Sequence, residues 1–139
     1  MQKMRRAAWG WSVAMLALWP LFAQAQGAYP ARPIRMVVPF PPGGSPDILA
    51  RTLGQKITEA TGAAVVVENI PGAGGSIGAD RVAKASPDGY TLLMGHIGTL
   101  AFTPAIYPHL PYDPIKSFAP VAWVARVPNV MAVHPSLPV

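Results

Sequence analysis

The chain has 139 residues, 11 Lys and Arg against 6 Asp and Glu, a formal net charge of +5 and no cysteine. Without cysteine there are no disulfides, no thiolate metal centres and no thiol nucleophile. Three of the cations open the chain and the other 8 lie singly between Arg32 and Arg126, so the basic stripe of a nucleic-acid binder is missing and no nucleic-acid partner is expected.

Lys3, Arg5 and Arg6 precede 16 uncharged residues, Ala7–Phe22, and then Ala23-Gln24-Ala25. A basic start, a short apolar run and an A-x-A sequence are the parts of a secretory leader. Gly10, Ser12 and Pro20 interrupt the run, which is shorter than the ~20 residues of a spanning helix. Residues 1–25 therefore read as a signal peptide cut after Ala25, with an uncleaved N-terminal anchor as the alternative. Past the leader the charge is 8 basic to 6 acidic, a net +2. The abundant Pro and Gly stand between compact apolar runs, as punctuation of a fold.

Ile34–Val38 (IRMVV) is a short strand, ended by Pro39-Phe40-Pro41-Pro42-Gly43-Gly44. Ser45-Pro46-Asp47 reads as a helix start, with Ser45 at the N-cap, Pro46 at the first helical position and Asp47 in the first turn. Leu49, Leu53, Ile57 and Ala60 recur at helical spacing, and Gly62 is the stop. Ala64–Glu68 is β-branched and reads as a buried strand, followed by the loop Asn69–Gly75. Ser76 caps a second helix through Ala85, with Ile77, Val82 and Ala83 inward. Pro87-Asp88-Gly89 turns into a third strand, Thr91–Gly95. Gly98–Tyr112 mixes loop with a short helix around Thr103–Tyr107, and Val121–Val127 and Val130–His134 are further strand-like runs. Phe102, Tyr107 and Trp123 are assigned to the core.

The order β-α-β-α-β with short connections predicts an α/β fold with a parallel sheet and right-handed crossovers. Both glycine-rich loops then leave strand C-termini and enter helix N-termini on one sheet edge, where ligands bind. Free amides and positive helix ends there suit a small anion.

Other chemistries fit less well. The Walker pattern is absent, and Ile77 stands where a G-x-G-x-x-G loop needs its third glycine. Gly74-Gly75-Ser76-Ile77-Gly78 matches G-x-S-x-G, so a serine hydrolase using Ser76, with Asp88 or Asp113 and His134, is an alternative. Against it, the seven residues Asn69–Gly75 separate Ser76 from its strand. His96, His109 and His134 are spaced too widely for a metal site. His109 and His134, beside prolines, are solvated, and His96 either lines the sheet edge or is plain surface. Asp47 has two readings as well, stabilising the helix N-terminus or contacting ligand.

The segments VVPFPPGGSPDILAR (Val37–Arg51), VVENIPGAGGSIGADRVAKASPDGYTLLMG (Val66–Gly95), PYDPIKSFAPVAWVA (Pro111–Ala125) and NVMAVHPSLPV (Asn129–Val139) together resemble the Bug family. These are the extracytoplasmic solute receptors of tripartite tricarboxylate transporters. The resemblance implies a periplasmic, two-lobed Venus-flytrap clamp that captures a small carboxylate, passes it to inner-membrane permease subunits, uses no cofactor and is not an enzyme. It implies ligand contacts at Pro42, Gly43, Gly44, Ser45 and Asp47 in the first loop. In the second loop it points to Gly72, Ala73, Gly74, Gly75 and Ser76, and after the third strand to His96, Gly98 and Thr99. Pro46 departs from the family pattern and removes one N–H donor. Two lobes need roughly 200–300 residues, so residues 26–139 are expected to form one N-terminal α/β lobe of a truncated receptor. A truncated product that binds nothing is the remaining alternative. N-terminal analysis of exported protein is expected to begin at Gln26; full-length chain in the membrane fraction would contradict the leader.

Overall fold

The computed structural model describes residues 29–128 and 132–137. The expected leader and its cleavage site lie outside the described residues, as do Val130 and Met131 of the last expected strand.

Strand β1, Ile34–Val38, is the middle of a three-stranded sheet. It pairs in parallel with β2, Val65–Asn69, on one side and β3, Thr91–Leu93, on the other. Ile34, Met36, Val37 and Val38 are all buried. Apart from the half-buried Arg35 the strand is apolar without alternation, as a parallel strand covered on both faces requires. The register places Val38 opposite Asn69 and Val37 opposite Leu93, so all three strands end at one edge.

Helix α1, Ser45–Thr61, covers the face of Met36 and Val38, where Ala50, Leu53, Ile57, Val65, Val67, Leu92 and Met94 complete the core. It stops at Gly62 as expected: Gly62 adopts φ 75°, and its amide donates to Thr58 O. Helix α2, Ser76–Ala83, covers the opposite face, where Arg81 reaches Glu68, itself paired with Arg35. The expected α/β architecture with a parallel sheet and a helix on each face is present.

Several local expectations are corrected. Gly44, not Ser45, is the α1 N-cap, and no side chain caps it. Asp47 reaches back from the first turn instead and accepts from the Gly43 amide. Along α1 the buried residues are Asp47, Ala50 and Gly54, while Leu49, Leu53 and Ile57 are half-buried and Ala60 is exposed. The helix lies so close to β2 that small residues face it: a Cβ on Gly54 would stand 3.0 Å from Val65 Cγ1. β2 is a half-buried edge strand, since no described strand pairs beyond it.

In α2 the N-cap is Gly75, not Ser76, and Ile77 is 54% exposed while Gly78 and Ala79 are buried. The buried face is small because α2 meets backbone there. The short helix is present as α3, Thr103–Ile106, entered through a π-helical turn, Gly98–Phe102. Val121–Val127 forms no strand and is exposed, with Trp123 at 84%; Phe102 and Tyr107 are exposed as well. Among the described residues the sheet ends at β2 and β3, and residues 121–127 pair with neither edge. The buried aromatic residue is Tyr112, packed edge-on against Phe118.

Gly78 is where α2 touches the sheet edge. A Cβ there would lie 2.8 Å from Ile70 O and 3.0 Å from Pro39 Cβ. Glycine to alanine within a helix ordinarily stabilises by up to ~1 kcal/mol. Gly78→Ala is expected to have the opposite sign, costing about 1–3 kcal/mol through overpacking against backbone, as read from urea unfolding midpoints.

Candidate functional site

Three segments meet beyond the strand C-termini. Loop 1, residues 39–44, joins β1 to α1; loop 2, residues 70–75, joins β2 to α2; and the turn 94–98 follows β3. Gly75 marks their junction: a Cβ on it would collide with Thr99 Oγ1 at 2.3 Å and approach Pro39 at 3.2 Å. Gly75 sits at φ 90°, and positive φ runs without a break from Gly72 through Ala73 and Gly74 to Gly75. Three of those four are glycine, as left-handed backbone favours. Ala73, at φ 46°, is the exception and carries a strain of about 1–2 kcal/mol.

Loop 1 is held by a buried carboxylate. Asp47 is 3% exposed and accepts from Gly43 N at 2.9 Å, Arg51 Nε at 3.1 Å and Asn69 Nδ2 at 3.0 Å. Arg51 hydrogen bonding foremost, then the Gly43 amide and Asn69, hold its pKa down to about 2 from the ordinary 3.8, against the opposing effect of burial. Asn69, the last residue of β2, also donates to Phe40 O at 3.1 Å and accepts from Arg51 Nη2 at 3.1 Å.

Loop 2 is held by neutral groups. Ser76 Oγ donates to Ala73 O at 2.8 Å, and Thr99 Oγ1 donates to Gly74 O at 3.3 Å. Thr103 Oγ1 lies 3.2 Å from Gly74 O and 2.8 Å from Gly98 O, and its single hydrogen serves the nearer. Tyr112 Oη donates to Thr99 O at 2.9 Å from the buried side. His96 packs edge-on against Phe40, with centroids 5.0 Å apart, and its Nδ1 accepts from Gly98 N. The turn after β3 is thereby joined to loop 1.

All thirteen expected site residues fall on this edge, in two groups. Pro42, Gly43, Gly44, Ser45, Gly72, Ala73, Gly74 and His96 are exposed. Gly98 is half-buried, and Asp47, Gly75, Ser76 and Thr99 are buried. The side chains of Asp47, Ser76 and Thr99 are occupied in holding the loops. The Gly43 amide is likewise committed, to Asp47. Among the described residues the amides of Gly44, Ser45, Ala73 and Gly74 have no acceptor in the chain. Sequence reasoning missed Asn69, Thr103 and Tyr112. The i, i+4 spacing of Thr99 and Thr103 was visible; the pairing of Asn69 with Val38 was not.

The triad of the hydrolase alternative is not assembled in this geometry. Ser76 Oγ is committed to Ala73 O, Asp88 pairs with Arg32, Asp113 accepts turn amides, and His134 contacts Ser136. The parallel sheet with glycine-rich loops at one edge is similar to part of solved periplasmic binding proteins. A family model described as the tripartite tricarboxylate transporter family receptor matches residues 49–139, and the chain belongs to that family. It is 47% identical over 110 residues to protein BugT of Bordetella pertussis, covering 78% of this chain and 34% of BugT. The solved periplasmic binding protein BugD is similar at 48% identity and TM-score 0.61, over 65% of this chain and 30% of BugD. MatC of Rhodopseudomonas palustris, solved with bound malate, is similar at 44% identity and TM-score 0.66, over 69% of this chain and 33% of MatC. The chain thus spans about a third of the length of the relatives it matches.

The depressed pKa of Asp47 fixes a pH dependence. The unfolded chain protonates this group near 3.8 and the native chain near 2. Its stabilisation is complete above about pH 5 and is lost as pH falls from about 4 towards 2. Asp113, also held low by the amides of Lys116 and Ile115, adds to the same slope. Unfolding midpoints measured from pH 5 to 2 should fall in the wild type, and Asp47→Asn should flatten part of that fall.

Proposed function

We propose that the complete receptor containing this chain captures a small carboxylate in the periplasm and delivers it to inner-membrane permease subunits. Residues 1–25 serve as the leader, cut after Ala25, and residues 26–139 form one lobe of the clamp. The carboxylate is held by the amides of Gly44, Ser45, Ala73 and Gly74, with His96 at the rim. The remaining loop residues shape the two cradles.

The observation that carries this reading is the pair of uncommitted amide sets on one sheet edge, with no free cation between them among the described residues. Loop 1 and loop 2 contain no Lys or Arg, and the nearest guanidinium, Arg51, is engaged by Asp47. An anion there meets backbone dipoles and the N-terminal ends of α1 and α2, the arrangement that binds phosphates and carboxylates at helix starts. The malate in MatC is of the same chemical class.

Gly44 provides a clean test. Its φ of −78° suits any residue, and a Cβ on it meets nothing closer than 3.6 Å. Gly44→Val should therefore fold normally while its side chain stands over the Gly44 and Ser45 amides. In the full-length receptor, calorimetric titration with malate and other small dicarboxylates is expected to show binding that this variant loses. Ser76→Ala, which removes one internal hydrogen bond, should weaken binding by only ~0.5–1.5 kcal/mol. Unchanged affinity in Gly44→Val would overturn the assignment of loop 1.

A further inference from the structure

We infer that Asn69 is the positioning residue that sets the ligand-facing amides of loop 1, an inference that rests on the carboxylate-receptor reading. Asn69 closes β2 directly opposite Val38, the last residue of β1. It therefore stands beside the point where loop 1 leaves the sheet. Its primary amide is fully used. One Nδ2 hydrogen goes to Phe40 O and the other to Asp47 Oδ1, at 3.1 and 3.0 Å, and its Oδ1 accepts from Arg51.

These three bonds tie separate pieces of chain together. Phe40 belongs to loop 1, Asp47 and Arg51 to α1, and Asn69 to β2. Asp47 in turn accepts from Gly43 N. Loop 1 is consequently pinned twice, at the Phe40 carbonyl by Asn69 directly and at the Gly43 amide through Asp47. The amides of Gly44 and Ser45 follow immediately after the second pin.

The chemistry demands asparagine. An aspartate cannot donate to Phe40 O and would set a second carboxylate against Asp47. A leucine would leave both the carbonyl and part of the carboxylate without partners. A glutamine carries the same groups one methylene too far out. Asn69 and Asp47 thus act together from behind the loop, and the amides of Gly44 and Ser45 face the ligand.

The test uses the full-length receptor and two independent readouts. The first, amide hydrogen exchange by NMR without ligand, compares Gly43 with Val37 in the middle of β1. The second is malate affinity by calorimetry. Asn69→Ala is expected to speed exchange at Gly43 by about tenfold or more, leave Val37 unchanged, and weaken malate binding by a similar factor. Asn69→Gln keeps the polar groups and serves if the alanine variant fails to fold; it too should free Gly43.

The exchanged pair Asp47→Asn with Asn69→Asp decides the role of donation. It restores one carboxylate, one amide and a partner for Arg51, but leaves Phe40 O without a donor, so neither readout should recover. Unchanged Gly43 exchange in Asn69→Ala and Asn69→Gln, or recovery in the exchanged pair, would overturn the proposal. Failure of the wild-type receptor to bind malate or any small dicarboxylate would instead remove the receptor reading, and the exchange measurements would still judge Asn69.

Discussion

The carboxylate of Asp47 is the interaction on which the candidate site depends. It joins the first turn of α1, the loop before it and the last residue of β2 through one buried group. A buried charge is costly unless every lone pair is used. Here the Gly43 amide, Arg51 and Asn69 supply the donors, and Arg51 compensates the charge from the half-open side. The arrangement also explains why Ser45 need not cap α1. The helix start receives its anion from Asp47, in the first turn, where it favours the helix dipole as well.

The two loops reach the same edge by different physics. Loop 1 is held by a charged network and loop 2 by hydroxyl-to-carbonyl bonds and close backbone approach. Gly75 admits nothing larger than hydrogen between Thr99 and Pro39, which lets the three segments touch. Ala73 pays a local strain that the surrounding bonds at Ala73 O and Gly74 O over-determine. Holding the loops from behind leaves their forward amides uncommitted. Such preorganised donors need little rearrangement when an anion arrives, and a rigid site loses less entropy on binding.

A neutral edge also bears on selectivity. With Arg51 engaged by Asp47, no bare cation stands in loop 1 or loop 2, so under the proposed function the edge would offer direction and hydrogen-bond count more than net charge. Backbone amides fit the planar, two-oxygen geometry that carboxylates share, whatever group lies behind them. On the proposed reading, discrimination between one carboxylate and another would fall to surfaces that meet the rest of the ligand. The run from Val121 to Val127 is exposed, and the chain spans about a third of the length of the relatives it matches.

The sequence by itself determined the class of fold and the placing of both glycine-rich loops at one sheet edge. A mostly apolar strand, a Pro-Gly loop, a helix with a glycine stop, a β-branched strand and a second glycine loop admit few parallel arrangements, because side-chain period and chain direction are local properties. The motif spacing was equally legible, and the family followed from it. What tertiary structure alone decided was the task of each side chain. Whether Asp47 faces a ligand or a loop amide, whether Ser76 is a cap or a brace, and whether Asn69 is a loop residue or the end of a strand all depend on register and on helix approach. Ile77 and Trp123, apolar yet exposed, show the same limit. Burial is settled by which neighbours the fold brings within reach, and those neighbours are distant in sequence.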